Sequence, residues 1–193
     1  MRRRTLLAAF LVLGLAACFS SLPDKKYFQI PLDASPPGAG PFAASLLVDH
    51  CDIGALYDDF RIVYRLSPYE INYYSYEFWA EKPSKLIRDS IIRYLEGAGL
   101  FAKLYVEPTK ESVDWTLRLA VRRVEEVDAP EAWSARLDMK LEIVDARTGA
   151  SLAERTFDRQ EPLPRKSVRE MPTALSRILG EEFRALLRKV PRT

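Results

Sequence analysis

From Trp115 to Ile143 the chain alternates apolar and polar residues with a period of two. Trp115, Leu117, Leu119 and Val121 face one way, and Thr116, Arg118 and Arg122 the other. Trp133, Ala135, Leu137, Met139, Leu141 and Ile143 repeat the order, opposed by Ser134, Arg136, Asp138, Lys140 and Glu142. Such alternation marks antiparallel strands with one face on a core. Asp145 to Gly149 has the composition of a short hairpin loop, with Gly149 free to take positive φ. Ser151 to Arg159 then reads as the returning strand.

Elsewhere the period changes to that of a helix. Leu86, Ile87, Ile91, Tyr94 and Leu95 form an apolar stripe opened by Lys82-Pro83, with Arg88, Asp89, Arg93 and Glu96 on its wet side. Gly97 and Gly99 end it. Leu175, Ile178, Leu179, Phe183, Leu186, Leu187 and Val190 define a longer amphipathic helix starting near Pro172, too interrupted by charge to cross a membrane. Shorter strands are expected at Lys25–Ile30, Ser45–Asp49, Ile62–Arg65, Glu70–Trp79 and Phe101–Val106, with Pro31 to Pro41 as a loop and Ser67-Pro68 as a turn. The expected fold is α/β of the α+β kind: a mixed, largely antiparallel sheet of six or seven strands with two helices packed on one face.

Aromatic residues are concentrated between Tyr57 and Trp79, which holds nine of them. Simple alternation along Glu70–Trp79 puts Tyr73 and Trp79 on one face and Tyr74, Tyr76 and Phe78 on the other. Two readings fit: a two-sided core strand with exposed tyrosine rims, or a face covered by a partner.

The N-terminus is of a different kind. Arg2, Arg3 and Arg4 precede an uncharged apolar run from Thr5 to Leu15, and Leu15-Ala16-Ala17-Cys18 closes it. A cationic start, a short apolar run and small residues before a cut form the pattern of a secretory signal. The run is shorter than the ~20 residues a membrane-spanning helix needs. Leu-Ala-Ala-Cys resembles a bacterial lipobox. That resemblance implies a signal peptide over 1–17, cleavage before Cys18, and a covalent diacylglycerol and N-acyl lipid on that cysteine. Residues 18–26 would be a lipidated tether and 27–193 one domain. Phe19-Ser20 follows the cysteine where an aspartate would retain such proteins in the inner membrane, so the expected address is the periplasmic face of the outer membrane.

Charge and chemistry narrow the picture. The chain has 29 basic and 27 acidic residues, and without the three N-terminal arginines it is close to neutral. It lacks the clustered basic excess that nucleic-acid binding requires. Cys51, with Cys18 acylated, has no intramolecular disulfide partner and reads as a buried thiol. His50, Cys51 and Asp52 are adjacent, but on a strand His50 and Cys51 point to opposite faces, so the histidine cannot activate the thiol. His50 and Asp52 alone do not make a metal site. No phosphate-cradling glycine loop and no nucleophile elbow occur. Asp58-Asp59 and Glu125-Glu126 read as solvated charges. The expectation is a protein with no catalytic residues and no cofactor beyond its lipid.

Taken together, the lipobox, Tyr27-Phe28-Gln29-Ile30, Leu46-Leu47-Val48-Asp49, Ile62-Val63-Tyr64-Arg65, Glu70-Ile71-Asn72-Tyr73-Tyr74 and Trp79-Ala80 leading to Pro83 resemble the ABC-type transport auxiliary lipoprotein family. The resemblance implies a non-enzymatic subunit that docks an MCE-domain protein, the lipid conduit, at the outer membrane. An ABC permease and ATPase would belong to the same system, and copies of the chain could assemble into a homo-oligomeric ring. Tyr73, Tyr74, Tyr76 and Trp79, where exposed, are the candidate partner-binding residues. Other expectations compatible with the residues are a lipoprotein that binds lipid itself, one assisting outer-membrane biogenesis as a lipopolysaccharide-assembly partner does, and, least favoured, a periplasmic hydrolase.

Overall fold

A computed structural model describes residues 23–32, 41–129 and 132–191. Eight strands and two helices follow in the order β1 (Lys26–Phe28), β2 (Phe42–Ile53), β3 (Arg61–Ser67), β4 (Glu70–Trp79), α1 (Pro83–Ala98), β5 (Phe101–Tyr105), β6 (Trp115–Asp128), β7 (Trp133–Asp145), β8 (Ser151–Pro162) and α2 (Met171–Lys189). All eight strands belong to one mixed sheet, with both helices on it. The sheet has one strand more than the expected six or seven, and each of the eight falls on a stretch the sequence marks as a strand; β1, three residues long, is held by parallel pairing to β4.

β6 is the spine. Along one edge it pairs antiparallel with β7 over its whole length, and β7 pairs with β8, giving the meander the alternation predicts. Along the other edge it takes two parallel partners end to end: β2 against Trp115–Val121, then β3 against Glu126–Val127. The sheet therefore forks. Beyond β2 lies β5, and beyond β3 lie β4 and then β1. The long ladders are antiparallel, whereas the fork is joined mostly by short parallel ones.

A bulge in β6 sets which side chains face which way. Val121 pairs with Met139 but Arg123 with Asp138, leaving Arg122 as the extra residue. A bulge shifts the alternation by one. Before it Leu117, Leu119 and Val121 point to the helices; after it Val124 does, and Glu125 turns to the opposite face.

The helices cover a single core. α1 buries Leu86, Ile87, Ile91, Tyr94 and Leu95, as its stripe predicts. The Asp58 carboxylate caps its first turn by accepting the Ser84 N–H at 3.1 Å, and Gly99 closes it in the left-handed region at φ 56°. α2 buries Leu175, Ile178, Leu179, Phe183, Leu186 and Leu187. Tyr94 meets Phe183 edge-on at 5.6 Å, joining the helices. Each such aliphatic side chain contributes about 1.5–3 kcal/mol through removal from water.

Two charged residues on the helices are not on their wet sides. Arg88 lies over the middle of β2 and donates to the carbonyls of Val48, Asp49 and Val106, tying α1 to the sheet. Glu182 on α2 is buried and takes Arg155 and Arg159 from β8. Burial works to raise the Glu182 pKa, but the two guanidinium groups outweigh it and hold the carboxyl below its ordinary value.

Candidate functional site

On the sheet face turned away from the helices, the junction of β3 with β6 is built from ionic side chains. Glu125, 0% exposed, accepts the Tyr57 hydroxyl at 2.8 Å and Arg65 Nε at 2.9 Å, with Arg136 at 3.7 Å. Arg65 also donates to Tyr57 Oη at 3.0 Å and reaches the carbonyls of Ser67 and Pro68 in the β3–β4 turn. Arg136 forks onto Asp158 at 2.8 and 2.6 Å, Arg123 bridges Asp158 and Asp138, and Arg122 completes the chain on Asp138. The bulge lets both Arg122 and Arg123 reach one carboxylate. The sequence reads Glu125 and Glu126 as solvated charges; the structure corrects this, because both are sealed and their hydrogen-bond partners Tyr57, Arg65 and Tyr74 lie 52 to 68 positions away in the chain.

Beside this network opens a cleft of about 670 Å³, walled by Arg65, Arg123 and Arg136 and lipped by Leu66, Pro68 and Val127. Chemically the set clamps rather than reacts. Burial, then the Glu125 carboxylate, raises the Tyr57 pKa and keeps the phenol protonated, so it cannot act as a base at neutral pH. Each cleft arginine already has a carboxylate partner.

Glu126 points to the helix face. One oxygen accepts the Tyr74 hydroxyl at 2.9 Å, while Oε2 has no hydrogen-bond partner. Burial pushes its pKa up to about 7, against the opposing pull of the Tyr74 hydrogen bond. The Tyr74 ring in turn leans on Tyr64 at 4.8 Å.

The four candidate aromatics of β4 separate. Trp79 is 1% exposed in the core and presents no surface to a partner. Tyr73, Tyr74 and Tyr76 are partly exposed; the Tyr73 hydroxyl donates to Leu56 O and its ring lies under Arg61 at 4.2 Å. The expected facing is also revised. The register jumps from Val63↔Tyr73 to Arg61↔Phe78, so β4 carries extra residues between them and loses strict alternation. Because Arg61 and Val63 share a face, Phe78 and Tyr73 do too. Among the described residues the most exposed aromatics lie outside β4: Tyr69, 99% exposed at the β3–β4 turn, and Tyr27, 63% exposed on β1. Tyr69 carries a signal of its own, an aromatic placed directly after Ser-Pro in a turn. Cys18 and the expected signal peptide over 1–17 lie outside the described residues.

His50, Cys51 and Asp52 alternate exposed, buried, exposed on β2. Burial, reinforced by Asp52 and Asp58, pushes the Cys51 thiol up to about 12, which keeps it protonated and unreactive. No group of three or more metal-ligating side chains occurs among the described residues.

The comparisons with known proteins bear on the family and the fold. The family model for the ABC-type transport auxiliary lipoprotein component matches residues 28–186. The chain belongs to that family, an auxiliary part of transport systems and not an enzyme class. A crystal structure of a Xanthomonas campestris protein of the family-model DUF330 superposes with a TM-score of 0.74 at 22% identity, covering 85% of this chain and 96% of that one. A crystal structure of an uncharacterised protein gives 0.69 at 15% identity, covering 86% and 99%. At these identities the likeness speaks for the fold. No curated protein matches the chain.

Proposed function

We propose that this protein is the outer-membrane docking subunit of an ABC-type lipid transport system, fastened by acyl chains on Cys18 and touching an MCE-domain conduit. The observation that carries the reading is the family match over residues 28–186, joined to the lipobox that precedes it. Triacylation suits the role: at roughly 0.8 kcal/mol per buried methylene, two or more chains hold a protein stably on a bilayer. Phe19-Ser20 after the cysteine supports the outer membrane as its address. The energy source and the lipid conduit lie on other chains, and the protein itself makes and breaks no bonds.

Docking rests on exposed aromatic surface, since aromatic residues are enriched at protein interfaces. Tyr69 at the hairpin tip and the partly exposed Tyr73 and Tyr76 on its flank are the contact residues. The clefts of about 520 and 670 Å³ have arginines in their walls, Arg177 and Arg184 in one and Arg65, Arg123 and Arg136 in the other. This favours a docking part over a carrier of acyl chains, which calls for an apolar lining.

A pull-down from membranes in mild detergent tests the proposal. Recovery of an MCE-domain protein with its permease and ATPase is the expected result. Recovery of an outer-membrane barrel protein in their place would transfer the chain to biogenesis, and lipid retained on the purified domain alone would make it a carrier.

A further inference from the structure

The end of the described chain nearest Cys18 builds a mixed aromatic and cationic corner. Tyr27 on β1, Phe78 on β4 and Arg61 on β3 are register neighbours, forming a row across three strands. The Tyr27 and Phe78 rings stack at 5.8 Å, and the Lys25 ammonium lies 5.4 Å from the centre of the Phe78 ring. Arg61 covers Tyr73 next in line. By alternation along β3, Arg61 shares the face of Arg65, away from the helices. Glu77 is matched with Lys26 and Asp59 with Arg61, while Lys25, next to the exposed Asp24 in the chain, lies over the Phe78 ring.

We infer that this corner, centred on Tyr27, Phe78 and Lys25, lies in the headgroup region of the bilayer that holds the acyl chains. The inference rests on the proposed lipidation of Cys18. Lys25 is seven positions beyond Cys18, so even a fully extended tether reaches only about 25 Å. The composition fits the same place. Rings with polar tips and cations with apolar stems are the side chains that settle at a membrane–water boundary, their bodies in the apolar layer and their tips in water. Tyr69 is at the other end of the same hairpin. The seven residues from Arg61 to Ser67 carry the turn roughly 20 Å away along the strand. One hairpin thus has a lipid end and a partner end.

The test uses the full-length protein, processed and lipidated in a bacterial envelope, purified and reconstituted into phosphatidylethanolamine–phosphatidylglycerol vesicles. Tyr27→Cys and Tyr69→Cys each receive a fluorophore; Cys18 is acylated and Cys51 is buried and protonated, so labelling is confined to the new site. Lipids with spin labels near the headgroup are then added as quenchers. Both positions are exposed, and near-ultraviolet circular dichroism confirms that the variants fold. Quenching at position 27 several-fold above that at position 69, persisting in high salt, is the expected result. Equal quenching in protein that still sediments with the vesicles overturns this placement and leaves the anchor standing. Protein that fails to sediment overturns the anchor as well. Position 27 unquenched, but shielded when the co-purifying periplasmic protein is added, reassigns the corner to a protein contact.

Discussion

Glu125 and Glu126 are neighbours in sequence, lie on one strand and are both 0% exposed, yet they serve opposite faces of the sheet. Glu125 is satisfied by Tyr57 and Arg65; Glu126 has Tyr74 on one oxygen and no partner on the other. Together they fasten the β3–β4 arm to β6 from both sides.

Glu126 makes stability depend on pH. Its folded pKa is raised to about 7 from an ordinary 4.5, so between those values the folded state binds more protons than the unfolded. Its protonated form is therefore a stabilising contribution, fully present below about pH 4.5 and lost as pH rises through 7, on the order of 3 kcal/mol. Glu126→Gln should remove this dependence and make the protein more stable than wild type at pH 8. Urea unfolding at pH 5 and pH 8 measures both; equal slopes in the two proteins would count against a buried neutral carboxyl.

Arg65→Ala leaves the Glu125 carboxylate buried with the Tyr57 hydroxyl at 2.8 Å and its one remaining cation, Arg136, at 3.7 Å. Removing one member of a buried pair costs about 3–5 kcal/mol. Adding Glu125→Gln to Arg65→Ala should restore part of that loss, which a double-mutant cycle on thermal or denaturant unfolding would read as coupling. Additive losses would mean the pair is not coupled as the geometry requires.

Asp58→Ala removes the carboxylate that accepts the Ser84 N–H at the start of α1. The expected cost is about 1 kcal/mol, with the denaturant m-value unchanged. Asp58→Asn, which keeps an acceptor oxygen, should recover most of it.

Cys18→Ser should give a folded protein that no longer sediments with membranes. The same circular dichroism spectrum and melting temperature as the processed wild type would separate loss of the anchor from loss of fold. If the proposed docking to an MCE-domain protein holds, Tyr69→Ala and Tyr76→Ala in the full-length protein should reduce co-purification of that protein without changing the melting temperature, since Tyr69 is 99% exposed.

Much of this fold is legible in the order of residues. The alternation from Trp115 to Ile143, the stripes of α1 and α2 and the loop before Gly149 are local patterns, each written within a dozen neighbouring positions. What is not legible depends on distant partners. Arg88 has the spacing of a solvated residue, and only the placement of β2 and β5 under it offers carbonyls to bind. Glu125 and Glu126 resemble a surface pair because their partners are 52 to 68 positions away. The bulge at Arg122 and the extra residues between Tyr73 and Phe78 leave no compositional mark, so alternation misassigns the face of Phe78 relative to Tyr73. The family resemblance supplied the transport role, which no spacing of residues encodes.

The fork in the sheet also defines a load path. Tension entering through the N-terminal residues passes to β1, from β1 to β4 and from β4 to β3, and by strand pairing it reaches β6 through just Tyr64↔Glu126 and Arg65↔Val127. That joint is the narrowest ladder between the tethered arm and the meander, and the two glutamates beside it act as rivets. A pull on that arm meets this two-residue ladder together with the core side chains Ile62, Val63 and Trp79, so the load is shared between backbone pairing and packing before it reaches the meander.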